Sequence, residues 1–153
     1  MQITSPAFQN GETIPHQYSR YGDDKSPPLE IEEVPAKTQS LVLIVDDPDA
    51  PRGIFTHWIV FDIDPGAPNF AEDGVPSNAR EGKNGWSNAH YGGPRPPSGE
   101  HRYFFRLFAL DTKLNLPRGV SRGEVEQAMK GHIIASAELM GKYAAQPAMT
   151  APG

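Results

Sequence analysis

Residues 41–64, LVLIVDDPDAPRGIFTHWIVFDID, constrain the fold more than any other stretch. Leu41 to Val45 is a short, continuous apolar run rich in branched residues, the pattern of a strand buried on both faces. It stops at the carboxylates Asp46 and Asp47, and a proline-punctuated loop follows. Thr56 to Ile63 then alternates, which places His57, Ile59, Phe61 and Ile63 on one predicted face. Pairing of these strands through the loop 48–55 sets Asp47 and His57 on the same rim of a sheet, a carboxylate beside an imidazole. That rim is the candidate functional site.

The remainder of the chain fits a β protein better than a helical one. Sixteen prolines and fifteen glycines suit short strands joined by shaped loops, not a helical bundle. Residues 1–30 read as extended and loop-like, with a turn signal at Asn10-Gly11 and a block on ladder pairing at Pro27-Pro28. The Ser26-Pro27 bond is compatible with either isomer. Leu29 to Val34 alternates as an edge strand does. Residues 65–97 are a long loop whose Trp86, His90 and Tyr91 are expected to anchor it to a surface. Arg102 to Leu110 is a further strand, with His101, Tyr103, Phe105, Leu107 and Ala109 on one face.

The last segment differs in kind. Ser121 with Glu124 three residues on has capping-box spacing. Val125, Met129, His132, Ile133, Ser136, Leu139, Met140 and Tyr143 recur at three and four residues, which predicts an amphipathic helix over 122–144 packed on the sheet. Pro147 and Pro152 end it. With 153 residues, no internal repeat and no composition break, residues 1–153 read as one domain.

Composition narrows the function classes. There is no cysteine, hence no disulfide, thiol nucleophile or thiolate metal site. Fourteen basic against nineteen acidic residues give a net charge of -5, which disfavours nucleic acid or an anionic membrane as the main partner. No apolar run reaches the roughly 18 residues of a membrane span, and the N-terminus lacks the basic and apolar regions of a signal peptide. A cytoplasmic protein with no integral membrane segment is expected.

The rim gathers Asp47, Asp49, His57, His101 and Tyr103, with Gly92-Gly93-Pro94 just before the last two. Plain structural roles exist for several: Asp49 in DPDAP reads as a turn residue bonding its own backbone, and His132 as a structural histidine. His57 and His101 stand out because each opens a strand after a Gly/Pro-shaped loop. Three chemistries fit. Protonated imidazoles, a tyrosine hydroxyl and glycine-loop N–H groups hold a phosphate or sulfate, with Asp47 orienting a ring and raising its pKa. Two histidines and a carboxylate also make a metal site, although no HxH or HExxH spacing supports one. An Asp–His pair can serve acid/base catalysis, but no nucleophile motif or glycine-rich cofactor loop accompanies it. No metal and no cofactor are expected.

Asp47-Pro48-Asp49-Ala50-Pro51, then His57-Trp58, then Gly93-Pro94-x-Pro96-Pro97-x-Gly99 leading into His101-Arg102-Tyr103, resembles the paired signature of the phosphatidylethanolamine-binding protein family. Its short prokaryotic branch, often labelled Raf kinase inhibitor-like, is the better match, through Ser26-Pro27-Pro28-Leu29 and HIIASAELMGKY at 132–143. The resemblance implies an antiparallel Greek-key β-sandwich with a C-terminal α-helix. It also implies a small surface cavity for phosphate-like anions or phosphorylated small molecules, walled by Asp47, His57, Gly93, Pro94, His101 and Tyr103, with Asp49 and Pro51 shaping its loop. Family partners include phospholipid head groups, nucleotides, kinases and serine proteases, so the alternatives are a protease inhibitor acting through 65–97 or the chain terminus, and a small acid/base enzyme using Asp47 and His57. Members of the branch often pair as homodimers. Only Arg52 to Thr56 separate DPDAP from His57, and the tyrosine that eukaryotic members carry there has no counterpart, which implies a more open mouth. The resemblance also implies that the C-terminal extension gating the pocket in mammalian relatives is missing.

Overall fold

The apolar run Leu41 to Val45 forms the middle of the central strand of a five-stranded sheet. The structure, a computed structural model, describes residues 1–147, so Pro152 and the chain terminus lie outside the described residues. That central strand is β3 (Ser40–Asp47), every residue of which is buried. β4 (Phe55–Ile63), β5 (Arg80–Glu81), β6 (Glu100–Leu110) and β7 (Ile133–Ala144) complete the sheet in the order β5-β4-β3-β6-β7, with antiparallel neighbours throughout. β6 returns beside β3 after β4 and β5 have extended the other side, which is the Greek-key order. β1 (Gln2–Thr4) and β2 (Glu30–Glu32) form a separate antiparallel pair.

Each face of the large sheet buries its own core. On one face Leu41, Leu43 and Val45 pack with Trp58, Val60, Tyr103, Phe105 and Leu107, and the small sheet closes the layer with Ile3 and Ile31. On the other, Val42, Ile44, Ile59 and Phe61 meet Val125 and Met129 of the only α-helix among the described residues, α1 (Arg122–Met129). This double coverage is why β3 is apolar at consecutive positions. The fold is mainly β and antiparallel, as the sequence implies.

Three sequence expectations need correction. The helix stops at Met129, and 133–144 is the twelve-residue strand β7. Ser121 does cap the helix, its Oγ accepting the Glu124 N–H at 3.2 Å. Gly131 ends it, at φ 82, where a Cβ is disfavoured. The apolar recurrence attributed to one helix combines a short helix with an alternating strand, because Leu139, Gly141 and Tyr143 are buried at every second position. His132 lies in the connecting turn, exposed, with Nδ1 2.7 Å from Asp111 Oδ1.

The second correction concerns β4. His57, Ile59, Phe61 and Ile63 do not share a face: Ile59 and Phe61 point to the helix side, Trp58, Val60 and Ile63 to the other core. The register against β3 slips by one residue between Val45↔Trp58 and Asp46↔Thr56, and again between Leu41↔Ile63 and Leu43↔Val60. Each slip is a β-bulge with the extra residue on β4, and a bulge re-aims side chains relative to simple alternation. The first bulge falls at His57. The third correction concerns the partner of Asp47 and belongs to the site itself.

The loop 65–97 is largely irregular, as expected, and is held down at Phe70 and Tyr91, both buried. Peptide bonds among the described residues are trans.

Candidate functional site

β3 and β6 pair in register from Ser40↔Leu110 to Asp46↔Phe104, which carries Asp47 alongside the start of β6. There the Asp47 carboxylate meets His101, not His57: Nδ1 of His101 lies 2.6 Å from Asp47 Oδ2, and both side chains are buried. Asp47 Oδ1 accepts the N–H of Asp49 at 2.8 Å, so Asp47 is the turn-forming carboxylate. Asp49, expected in that role, instead accepts three bonds from Arg102, from its backbone N–H and from Nε and Nη2 of its guanidinium. Those bonds to Arg102 hold the Asp49 carboxyl down to about 2.

His57 is held from another direction. The bulge turns its ring toward Tyr103, edge to face at a centroid distance of 5.1 Å, and its Nδ1 lies 2.7 Å from the carbonyl oxygen of Gly92. A carbonyl only accepts, so Nδ1 carries the proton in that bond. Burial is the main influence on the ring and lowers its pKa, against smaller opposing effects of the Gly92 carbonyl and the Asp47 charge. Burial likewise raises the Tyr103 phenol far above its usual range, so the hydroxyl keeps its proton.

The glycines of the 91–94 segment allow that close approach. A Cβ on Gly92 would collide with the Trp86 ring, and one on Gly93 with the carbonyl oxygen of Tyr18. The Gly93 N–H donates to Asp24 Oδ1 at 2.7 Å, and the Pro94 carbonyl accepts from the Arg20 N–H at 2.9 Å.

Asp47, Pro51, His57, His101 and Tyr103 together line a pocket of about 190 Å³. Pro94 lies beneath it, in a small internal gap shared with His57 and Tyr103. Gly93 and Asp49 do not line it: one buttresses the wall through Asp24, the other braces the DPDAP loop through Arg102. Sequence reading missed Phe55, Trp86, Arg95 and Pro96 as lining residues. Trp86 packs edge to face on both Phe55 and His57, at centroid distances of 4.7 and 5.1 Å. Arg95 sits over the Tyr21 ring at 5.4 Å, and Arg20 over Trp86 at 4.2 Å. The signal for Arg95 was present, since it fills the variable position of the Gly-Pro-x-Pro-Pro motif, but the motif pattern passes over that position.

Among the described residues, Nε2 of His57, Nε2 of His101 and the Tyr103 hydroxyl have no hydrogen-bond partner in the protein. Each belongs to a residue facing the same pocket. Both rings therefore keep their bonded proton on Nδ1 and present the other nitrogen to whatever occupies the cavity.

The profile of the phosphatidylethanolamine-binding protein family matches residues 4–144, nearly the whole described chain. The chain belongs to this family. Among curated relatives, the UPF0098 protein of Methanothermobacter thermautotrophicus is 43% identical over 148 residues, covering 94% of this chain and 98% of its own. The UPF0098 protein of Aquifex aeolicus is 48% identical over 150 residues, covering 94% of this chain and 88% of its own. A crystal structure of a putative phosphatidylethanolamine-binding protein homolog from Chlamydia trachomatis superposes with a TM-score of 0.91 at 44% identity, over 95% of this chain and 97% of that one. Escherichia coli YbcL, called a new member of the mammalian family, superposes at 0.88 with 30% identity, over 95% and 98% of the two chains. The fold of these two relatives thus extends over nearly the whole of this chain. No helix among the described residues is long and apolar enough to cross a membrane.

Proposed function

We propose that the pocket between Asp47, His57, His101 and Tyr103 binds an oxyanion, a phosphoryl or carboxylate group carried by a small molecule. The observation that carries this reading is the set of unpartnered groups: two imidazole Nε2 atoms and a phenol facing one cavity. In the neutral rings these nitrogens accept; protonated, each becomes a donor suited to an anionic oxygen. The Asp47 charge opposes an anion, but its oxygens are already engaged by His101 and the Asp49 N–H. Arg95 at the lining adds a guanidinium, whose planar fork of donors suits an oxyanion.

Burial holds His57 neutral, so binding an anion through Nε2 requires proton uptake. Affinity therefore falls as pH rises. The loop 65–97 supports a pocket wall in preference to a protease-binding loop, because Asn84 pins it internally through bonds to Trp86 N–H, Asn88 N–H and the His90 carbonyl.

The test is an NMR titration of the His57 and His101 rings with inorganic phosphate and with phosphoethanolamine, at about pH 6 and about pH 7.5. Both imidazoles should shift together, with tighter binding at the lower pH. Affinity independent of pH, or rings that do not respond, would overturn the reading. Tighter binding of phosphoethanolamine than of phosphate would assign the site to a head group, equal binding to the bare anion.

A further inference from the structure

A second cavity, of about 250 Å³, has carboxylates in its lining and is tied to the wall of the oxyanion pocket through the Tyr91–Gly93 segment. The Gly92 carbonyl holds His57 on one side, while the Gly93 N–H is held by Asp24, which lines the second cavity. Asp73 and Glu81 line it too, and neither lysine nor arginine does. His90 also lines the cavity, and its Nδ1 is 3.0 Å from the Tyr91 carbonyl.

The acidic groups are not equally available. Asp24 is engaged by the Gly93 N–H at 2.7 Å and by the Arg20 guanidinium at 4.0 Å. Glu81 gives one oxygen to the indole N–H of Trp58, at 2.8 Å, and has the other open. The Asp73 carboxylate has no side-chain partner among the described residues.

Ser26 is the independent observation. It is 5% exposed, lines this cavity, and its hydroxyl has no hydrogen-bond partner among the described residues. The only fully enclosed unpartnered side-chain oxygen or nitrogen among those residues belongs to Thr38, so the Ser26 hydroxyl is open to the cavity. Its carbonyl accepts the Asp73 N–H at 2.9 Å, which fixes serine and carboxylate side by side. Trp58 and Tyr91, edge to face at 5.3 Å, supply an aromatic wall.

We propose that this cavity binds a primary alkylammonium group between Asp73, Glu81 and Ser26. Three acceptor oxygens match the three N–H donors of an ammonium, and two carboxylates supply the charge. The aromatic wall suits the alkyl chain and adds cation–π attraction. A metal ion fits poorly, since no group of three histidine or acidic side chains among the described residues is placed to hold one. The inference stands independently of the oxyanion reading.

The two tryptophans separate the two sites, because the Trp58 indole lines this cavity and Trp86 lines the oxyanion pocket. The intact 15N-labelled protein is titrated with n-butylammonium, with the N-methylamide of acetyl-lysine, and with tetramethylammonium. The Trp58 indole N–H should shift saturably with n-butylammonium while the Trp86 signal stays in place; tetramethylammonium, which has no N–H, should bind far more weakly. Saturation by the lysine derivative as well assigns the site to a lysine side chain of a polypeptide; its failure assigns a free small amine. Asp73→Asn should weaken binding about tenfold. Asparagine is tolerated at the φ of 57 that Asp73 adopts, so the fold is kept. Glu81→Gln, which retains an acceptor for Trp58, should act in the same direction. No saturable Trp58 shift, equal binding of tetramethylammonium, or unchanged affinity in both variants would overturn the proposal whatever phosphate does at Trp86.

Discussion

His57 sits in a folded environment that resists its own charge. Burial lowers the pKa of the ring, so the folded state binds its proton more weakly than the unfolded chain, in which histidine titrates at about 6.5. As pH falls through that value the unfolded chain takes up the proton first, and stability declines with falling pH. His57→Gln should flatten this dependence: melting curves of the two proteins should converge in acid relative to their spacing near neutrality. Phosphate should raise the melting temperature more in acid than near neutrality, because it pairs with the protonated ring. An identical acid slope in both proteins would show that His57 does not govern it. The same residue illustrates a limit of pattern reading. Alternation assigned it to the face of Ile59 and Phe61, and a single extra residue in β4 moved it to the face of Tyr103.

At the scale of elements, α1 and β7 are separated by one backbone requirement. Gly131, at φ 82, turns the chain out of the helix, and the His132 N–H then returns to the Met129 carbonyl at 2.9 Å. β7 is free to pair with β6 from Glu100↔Ala144 to Leu110↔Ile133. Gly131→Ala should lower unfolding free energy by about 1 kcal/mol, measured by denaturant titration, because alanine is strained at positive φ. An unchanged midpoint would mean that the turn relaxes without cost. In the sequence, β7 shows only as the alternate positions Leu139, Gly141 and Tyr143, whose burial the structure supplies. Three- and four-residue recurrence matched the same residues equally well, because short apolar patterns satisfy both periods.

For the whole molecule, two adjacent carboxylates connect the layers. Asp47 faces the pocket side, while Asp46, 1% exposed, faces the helix side. Asp46 accepts from Arg106 of β6 at 3.2 Å and pairs with Arg122 of α1 at 3.0 Å. Those arginines extend to Glu138 of β7 and Glu126 of α1. The network ties helix, central strand and edge strand together at the end of the sheet that carries the pocket. Asp46→Ala leaves two cations facing each other across a vacated carboxylate. The arginine side chains remain 30% and 25% exposed, so water relieves part of the cost. The expected loss is about 2 kcal/mol, at or below the lower end for breaking a buried ion pair. Chemical denaturation should show it as a shifted midpoint with unchanged slope, and a loss within error of zero would place the arginines fully in solvent.

By itself, the sequence determined the strands β3, β4 and β6, the doubly buried character of β3, the inward face of β6 with His101 and Tyr103, the capped start of α1, and the family. These follow from local periodicity, turn chemistry and motif spacing, which a single strand or loop expresses without its neighbours. Tertiary structure decided the rest. His101 became the partner of Asp47 because β6, fifty residues away, pairs with β3. His57 turned into the pocket because β4 carries one residue more than β3 at that level. Arg95 and Trp86 reached the cavity because the loop 65–97 folds back over the strand ends. Register, bulges and loop return are set by contacts between segments distant in sequence, and no local pattern encodes them.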